Sequence, residues 1–462
     1  MEEWKEYKIS EVIDEISMGP FGSNIKVDNF IDSGVPVLNG SNLQGFKLNE
    51  DSFNYVSQEK ADSLGKANAH RGDVVITHRG TLGQIVFIPE DSKFEQYVIS
   101  QSQFRLKLKE DIIKPDFFVY FFHTRLGQHR ILMNASQVGV PALARPTSTF
   151  KEVSVPVPAM EVQKKVMDIL HSLDDKIEVN RRINDNLEQQ AQALFKHWFV
   201  DFAPFKDGNF CANREQNETC FNSAEVQPKI TGKACKFVES ELGLIPEGWR
   251  VGTYDEIIQD TISGDWGKEK PEGNYTHKVA CIRGCDFQDV KMGLRGKTPE
   301  RYILEKNYVS KHFNDKDVLV EISGGTATVS TGRICPVSQL LIDKYNGDIV
   351  CTNFCRLVRP SIGYSSYLYY SWKYKYDKKV MFGYENGTSG IKNFSIKDFT
   401  SREPLIIPSL SDLKIFEDMV EHIHTHIQNL GSESAKLATL RDTLLPKLMS
   451  GQIKVNEIEK SL

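Results

Sequence analysis

Asp174-Asp175-Lys176-Ile177-Glu178-Val179-Asn180-Arg181-Arg182-Ile183-Asn184 lies at the centre of the stretch that decides the fold, residues 158–205. Within it, apolar residues recur at helical and heptad spacing: Leu170, Leu173, Ile177, Leu187, Ala191 and Leu194. A stripe of this period predicts one long helix that buries a single face. About 38 residues at the helical rise per residue would make a helix roughly 57 Å long. An aromatic run ending at Pro204 is expected to stop it.

Two asparagines, Asn180 and Asn184, fall on the same stripe. A buried asparagine on a helical seam costs stability and can fix the register between helices. We therefore interpret both as register-fixing residues in a helix pair.

A second stripe closes the chain after Pro408. It comprises Phe416, Val420, Ile423, Ile427, Leu430, Leu437, Leu444 and Leu448. Two helices of similar period can pack antiparallel, with a globular domain at each end and approximate twofold symmetry. The alternative is that each helix packs on its own domain. The polar outer faces are too long for one small domain to cover, which favours the pair.

The chain also repeats itself over about half its length, which can reassign a whole fold. Residues 4–9 correspond to 249–254, residues 72–75 to 316–319, and residues 150–158 to 399–408. A long helix follows each copy. The predicted fold class is therefore α/β: two globular mixed α/β domains separated by two long helices that form an antiparallel coiled coil with pseudo-twofold symmetry.

The predicted segments follow from this repeat. They are a first domain (residues 1–157), a central helix (158–206), a linker (207–238), a second domain (239–407) and a C-terminal helix (408–462).

Length, net charge and the distribution of apolar residues limit the classes of protein that this chain can belong to. A length of 462 residues suggests two to four domains. The net charge of −5 argues against coating nucleic acid by bulk charge, but local basic groups can still bind it. No apolar run approaches the ~20 residues that span a bilayer, and no signal peptide is evident. We expect a cytoplasmic protein with reduced cysteines and no membrane contact.

Several stretches resemble the specificity subunit of type I restriction–modification systems. They are Leu173–Ile177 with Asn180 and Asn184, Leu194–Phe202, Glu239–Trp249 and Leu440–Gly451, with Gly19–Ser23 as the main match in the first domain. The resemblance covers essentially the whole chain. The globular domains match only in framework, as the family implies, because its domains differ wherever their target sequences differ.

The resemblance implies a non-catalytic DNA-specificity subunit. Each globular domain would be a target-recognition domain that reads one half of a split, asymmetric site in double-stranded DNA, and the helices would set the spacing. No cofactor is expected in this chain. Methyl transfer from S-adenosylmethionine would belong to modification subunits, two in number. Translocation and cleavage with ATP and Mg²⁺ would belong to restriction subunits.

Partner subunits are expected to dock on the outward faces of the helices, together with Trp198, Phe199 and Phe202. The alternative is that these three aromatics cap the central helix against a globular domain. The sequence alone favours neither.

Base edges are read by Arg, Lys, Asn, Gln, Ser and Thr on rigidly held loops. In the first domain the candidates are Ser23, Asn24, Lys26, Asn39, Ser41, Asn42, His78, Arg79, Thr81, Gln101 and Gln137. In the second they are Lys268, Arg283, Ser323, Thr326, Thr328, Arg333, Asn386, Thr388, Ser389 and Lys392. Any one of them can also be a solvated loop residue. Arg79 and Lys392 are the strongest individual candidates.

No metal site is predicted. The pairs Cys281/Cys285 and Cys351/Cys355 have a wider gap than zinc ribbons use, and we expect each pair to share one face of an apolar strand. His422, His424 and His426 alternate around the last helix, which indicates a solvated face.

No catalytic residues are predicted, because nucleotide-binding and methyltransferase motifs are missing from the sequence. Two other classes stay open: a self-contained restriction or methylation enzyme, and a coiled-coil scaffold that binds only protein.

Overall fold

The structure, a computed structural model, describes residues 4–22, 24–133, 135–136, 140–206, 235–326, 328–387 and 392–453. The first domain has the strands β1 Lys5–Lys8, β2 Ile13–Met18, β3 Val35–Val37, β4 Asn54–Val56, β5 Asn68–His70, β6 Val74–Thr77, β7 Ile85–Phe87, β8 Gln96–Val98, β9 Gln103–Leu108, β10 Ala135–Ser136, β11 Ala142–Leu143 and β12 Ser154–Val157. Its helices are α1 Ile9–Val12, α2 Gln58–Ser63, α3 Pro115–His123, α4 Arg125–Leu132 and α5 Pro146–Lys151.

Two four-stranded sheets form the body of the first domain. One has the order β2-β9-β6-β7 and is antiparallel throughout. The other has the order β4-β3-β8-β5 and contains one parallel pair, β3 with β8. Strands β1 and β12 pair antiparallel, so the two ends of the domain meet.

The second domain follows α6 Met160–Phe199 and α7 Ala203–Lys206. Its strands are β13 Phe237–Ser240, β14 Gly243–Pro246, β15 Arg250–Thr253, β16 Ile258–Ser263, β17 Tyr275–Ile282, β18 Glu300–Leu304, β19 Val318–Glu321, β20 Ser323–Gly324, β21 Ile334–Pro336, β22 Ile349–Cys351, β23 Cys355–Pro360, β24 Glu385–Asn386, β25 Lys392–Phe394 and β26 Pro404–Ile407. Its helices are α8 Phe287–Lys291, α9 Glu305–Lys311, α10 Gln339–Asp343, α11 Ser365–Asp377 and α12 Ile396–Arg402, and α13 Leu410–Met449 closes the chain.

The second domain repeats the strand order of the first. The sheet β16-β23-β19-β21 matches β2-β9-β6-β7, and β15 pairs with β26 as β1 pairs with β12. A second sheet, β18-β17-β22, again contains one parallel pair, β17 with β22. The internal repeat predicted from the sequence is confirmed.

One acidic residue shows how closely the two copies correspond. The Asp73 carboxylate accepts the backbone N–H of His70 over 3.0 Å, and Asp317 accepts that of Asn314 over 2.8 Å. Both aspartates are buried next to an arginine, and burial raises the pKa of Asp317 to about 6. The matched turn places β6 and β19 at the same point of each sheet.

The chain divides into two compact units, residues 1–176 with 437–462, and residues 177–436. In the first unit the start of α6 and the end of α13 pack in one core through Val166, Leu170, Leu445 and Leu448. In the second unit the end of α6 and the start of α13 share a core through Ala191, Phe195, Phe416 and Val420.

The two long helices run antiparallel within each unit. In the first unit Asp174 binds Arg441 over 2.6 Å. In the second unit Asn180 binds Ser434 over 3.3 Å, and Asn184 binds the carbonyl oxygen of Ile427 over 3.2 Å. The residue number rises along α6 as it falls along α13, so the predicted antiparallel pair is confirmed. Each domain core also includes one end of both helices. The alternative prediction, that each helix packs only on its own domain, is therefore only partly correct.

Both asparagines are buried as the stripe predicted, with exposed fractions of 0% for Asn180 and 2% for Asn184. The helix start is well defined for α13, because the Ser409 hydroxyl accepts the N–H of Asp412 over 3.3 Å and acts as an N-cap.

Two local predictions were wrong. Cys285 is exposed in a turn after β17, and Cys351 and Cys355 lie on different strands, so the members of each pair do not share a strand face. His424 is partly buried rather than solvated, since its ring contacts Tyr370 of α11. Residues 207–234 of the predicted linker, including Cys211 and Cys220, lie outside the described residues. The segment boundaries stay a prediction.

Candidate functional site

Three loops meet at one end of the β2-β9-β6-β7 sheet of the first domain. The N–H of Gly19 donates to the carbonyl of Gln103 over 2.8 Å, and the N–H of His78 donates to the carbonyl of Ser102 over 2.8 Å. The His78 ring also lies 3.1 Å from the carbonyl oxygen of Gln101. The candidates His78, Arg79 and Gln101 are therefore brought together, and we name these three loops, residues 19–22, 78–82 and 100–102, the first loop cluster.

Arg79 is the exposed cation of this cluster. Its backbone is fixed by a bridge to Ala142, and its guanidinium has no ion pair with any residue that the structure describes. Burial lowers the pKa of the neighbouring His78, so that ring is neutral near pH 7. Arg79 is thus an exposed guanidinium on a held backbone.

The remaining candidates of the first domain divide into exposed and internal residues. Asn42 is buried, and its amide donates to the carbonyls of Asn49 and Ser52 over 3.0 Å each. The side-chain oxygen of Asn39 accepts the N–H of Ser41 over 2.8 Å. These bonds shape the loop. By contrast, the side chains of Asn24, Lys26 and Thr81 are exposed.

The corresponding end of the second domain carries matching loops. The N–H of Ile322 donates to the carbonyl of Phe354 over 2.8 Å, as His78 donates to Ser102. The short sheet β20-β25-β24 brings Ser323, Asn386 and Lys392 together. Here Thr326 accepts the N–H of Thr328 over 3.3 Å, so both threonines shape their own turn.

All four charged candidates of the second domain are held by carboxylates of the same chain. The shared feature is an ion pair within the domain: Arg283 with Asp286 (2.9 Å), Arg333 with Glu321 (2.6 Å), Lys392 with Glu385 (2.9 Å) and Lys268 with Glu272 (3.4 Å). Burial would raise the pKa of Glu385, but Lys392 and Thr331 outweigh it and hold that pKa below its ordinary value. A base contact by any of these four cations would require exchange of an existing ion pair.

Four candidates lie outside the described residues: Ser23, Gln137, Thr388 and Ser389. The DNA-contact assignment of all the candidates stays a prediction.

The aromatic run at the end of α6 faces inward. The exposed fractions are 4% for Trp198, 4% for Phe199 and 8% for Phe202. The Phe199 ring centroid lies 5.6 Å from that of Trp249 and 4.9 Å from that of Phe416. Buried side chains cannot form an open docking surface, so the docking assignment is corrected in favour of the alternative: the run caps the central helix against the second domain.

One pair of equivalent aromatic residues, Phe21 and Trp266, is not among the candidates predicted from the sequence. Gly19-Pro20-Phe21-Gly22 and Gly264-Asp265-Trp266-Gly267 follow β2 and β16, which hold the same place in their sheets. Aligning the two halves beyond the strands would have found an aromatic residue between two glycines in each.

Within the ranges that the structure describes, no group of His, Cys, Asp and Glu side chains could hold a metal ion. Of the helices in those ranges, none is long and apolar enough to cross a membrane.

Comparison with known proteins shows what this chain is similar to. Residues 1–189 match the Type I restriction modification DNA specificity domain. The chain is 24% identical to the Type I restriction enzyme MjaIX specificity subunit of Methanocaldococcus jannaschii, covering 99% of this chain and 95% of that one. It is 26% identical to the HindI specificity subunit of Haemophilus influenzae, covering 98% and 100%. Both relatives are named type I specificity subunits.

A solved type I S subunit from M. genitalium is 15% identical over 96% of each chain, with a TM-score of 0.47. The similarity to the family spans both domains and both long helices, because the two relatives align with nearly the whole chain. The predicted resemblance to type I specificity subunits is confirmed.

Proposed function

We propose that each domain reads one half of a bipartite, asymmetric DNA site, and that α6 and α13 set the spacing between the half-sites. The observation that carries this proposal is the duplicated sheet order. One framework occurs twice in one chain, while the loops at the same end of each copy differ in sequence. Two similar frameworks with different loops are suited to reading two different short sequences.

Half-site reading is tested by exchange of one domain. Residues 1–150 would be replaced by those of another family member, and the methylated sequences of cells carrying the variant with its partner subunits would be determined. We expect one half-site to change and the other to persist. A change in both halves would contradict independent reading.

The contacts between α6 and α13 support the spacing role, because specific side-chain contacts occur both before and after residue 176 of α6. A sharp test inserts four residues between Asp174 and Asn180 together with four between Ser434 and Arg441, which keeps both sets of contacts in step. Four residues add about 6 Å of helix, the length of roughly two base pairs. We expect a longer gap with unchanged half-sites. The matched control carries the insertion in α13 alone and should lose function.

We also propose that modification subunits dock on the exposed faces of the helices. Val179 and Ile183 are one turn apart on α6 and are 47% and 37% exposed, while Leu440 on α13 is 47% exposed. Val179→Asp with Ile183→Asp should weaken assembly with the modification subunits, measured by size-exclusion chromatography. Leu126→Asp, 50% exposed on α4, is the control.

Catalysis is proposed to belong to the partners. The purified chain with S-adenosylmethionine and DNA should transfer no methyl group. Methyl transfer should appear only when modification subunits are added. Methyl transfer by the chain alone would favour the self-contained enzyme. Sequence-selective, salt-dependent retardation of DNA by the complex would exclude the protein-only scaffold.

A further inference from the structure

Each domain carries an aromatic side chain between two glycines at the same end of its sheet. Phe21 lies in the turn after β2, and Trp266 lies in the turn after β16. Single exposed apolar residues are common on protein surfaces, so exposure alone has little weight. The recurrence of the same arrangement in both copies is what calls for an explanation.

Both turns are held tightly against a neighbouring loop. A Cβ atom on Gly19 would collide with the carbonyl oxygen of Ser100, and one on Gly264 would collide with that of Thr352. The N–H of Asp265 also donates to the carbonyl of Cys351 over 2.8 Å, and the N–H of Gly19 donates to that of Gln103, so each turn is additionally held by a backbone hydrogen bond, although not at an equivalent position. The backbone before each aromatic is therefore fixed, and the ring is presented from a rigid base.

The Phe21 ring points away from the domain. The side chain is 84% exposed, and the backbone closes a turn beneath it, because the N–H of Asn24 donates to the carbonyl of Phe21 over 2.8 Å. Gly22 lies directly against the side chain of Gln101, which joins the ring to the first loop cluster. An open π face thus lies in the same loop cluster as Arg79.

Trp266 lies at the equivalent position of the second domain, but a neighbouring cation partly covers its ring. It is 36% exposed, and the Arg301 guanidinium lies 3.9 Å from its ring centroid. Arg301 is itself anchored to Glu269 over 3.1 Å. The Arg301 cation thus lies over the Trp266 ring, whereas the Phe21 ring is bare.

We propose that Phe21 and Trp266 are stacking residues that insert against a base step in the half-site read by their own domain. An apolar ring inserted into duplex DNA unstacks the step, and the cost depends on which bases must be separated. Each domain would then select flexible pyrimidine–purine steps without any hydrogen bond to a base. This inference rests on the proposed reading of half-sites and adds a second mode of selection to it.

The test uses the chain assembled with its modification subunits and duplexes that carry 2-aminopurine at single positions of each half-site. Insertion should raise the fluorescence at one step per half-site. Phe21→Ala should abolish the rise in the first half-site only and weaken binding about five- to hundred-fold, the range for one base stacked on one aromatic. Trp266→Ala should act only on the second half-site.

Three comparisons make the result specific. Phe21→Trp should restore both signal and affinity, which separates loss of stacking from loss of folding. Leu126→Ala, on α4 of the same domain, should change neither. Phe21→Ala should leave the salt dependence of binding unchanged, whereas Arg79→Ala should reduce its slope by about one, because only the second change removes a cation.

The outcomes distinguish the two proposals. If the assembled wild-type protein shows no sequence-selective binding, half-site reading itself fails. If selective binding and the fluorescence rise both persist in Phe21→Ala, half-site reading stands and insertion by Phe21 is overturned. If Phe21→Ala instead weakens assembly with the modification subunits, the ring is a protein contact and the proposal is likewise overturned.

Discussion

The side-chain amide of Asn180 on α6 donates a hydrogen bond to the carboxylate of Glu433 on α13 over 2.8 Å. The carbonyl oxygen of the same side chain is buried without a hydrogen-bond partner among the described residues. Asn184, one turn later, also has an unpartnered buried oxygen, but its amide donates to the carbonyls of Met292 and Ile427 over 3.2 Å each. The two asparagines thus both lie buried between α6 and α13, but their side-chain amides donate to different acceptors.

Asn180→Leu should therefore stabilise the chain. The substitution removes a buried unsatisfied oxygen, which costs about 1–3 kcal/mol. The buried Ser434 hydroxyl loses the amide as a donor but keeps its own bond to the carbonyl of Leu430 over 2.9 Å, and the exposed Glu433 can turn to water. We expect a higher thermal unfolding midpoint, with a gain of about 1 kcal/mol. Asn184→Leu is the matched control and should lower the midpoint, because it deprives the Met292 carbonyl of its donor. Equal effects of the two substitutions would refute this assignment.

The ion pair between Asp174 and Arg441 should contribute measurable stability. Both side chains are largely buried, at 17% and 18% exposed, and Arg441 also lies over the Phe46 ring at 4.8 Å. Removing one partner of such a pair leaves a charge in a poorly solvated site. We expect Asp174→Asn to cost about 2 kcal/mol in unfolding free energy, measured by urea denaturation.

The control for that pair lies on the same helix. Arg182 and Glu178 are 2.8 Å apart, but Arg182 is 73% exposed. An exposed pair is worth about 0–1 kcal/mol, so Arg182→Gln should be nearly neutral. A loss in Arg182→Gln as large as that in Asp174→Asn would mean that burial does not set the value of the pair.

The helices and the duplication could be predicted because they rest on periodic patterns. The stripe through Leu170 and Ala191 has helical spacing, and residues 73–75 match 317–319 in type and order. The contacts of the loops could not be predicted in the same way. No local pattern shows that Asn184 binds the carbonyl of Met292, 108 residues away.

The aromatic run at the end of α6 shows a second limit. Hydrophobic residues at a helix end suit a partner surface and a domain core equally well by composition. Trp198 and Phe199 are buried because Trp249 and Phe416 pack on them, and those contacts depend on tertiary structure. The charged loop residues share this limit: Arg333 looks like a base-reading residue until Glu321 is placed beside it.

The stability of the second unit should fall in mild acid because of His424. Its Nε2 lies 2.7 Å from the hydroxyl of Tyr370, and burial lowers its pKa, with Glu188 and Glu421 opposing that effect. An unfolded histidine takes up a proton below about pH 6.5, and the folded ring resists it. The unfolded state then binds more protons, so stability is complete above about pH 6.5 and declines as the pH falls below it.

His424→Gln keeps a hydrogen-bonding side chain and removes this titration. We expect the wild-type protein to lose stability relative to the variant between about pH 6.5 and 5.5, by up to ~1.4 kcal/mol per pH unit. Urea midpoints measured across pH 5–8 would test it. Parallel pH profiles for the two proteins would show that another group is responsible.

Gly431→Ala should change the stability in the direction opposite to the one that helix propensity predicts. It lies inside α13, where replacing glycine with alanine ordinarily stabilises by about 1 kcal/mol. Here an added Cβ would collide with the carbonyl oxygen of Met292 and the backbone of Gly293. Gly431→Ala should therefore lower the unfolding midpoint, since backbone atoms cannot turn aside as a side chain can. Gly383→Ala, where a Cβ would meet nothing within 4 Å, should be neutral or stabilising, and the same gain at both positions would contradict the close approach at Gly431.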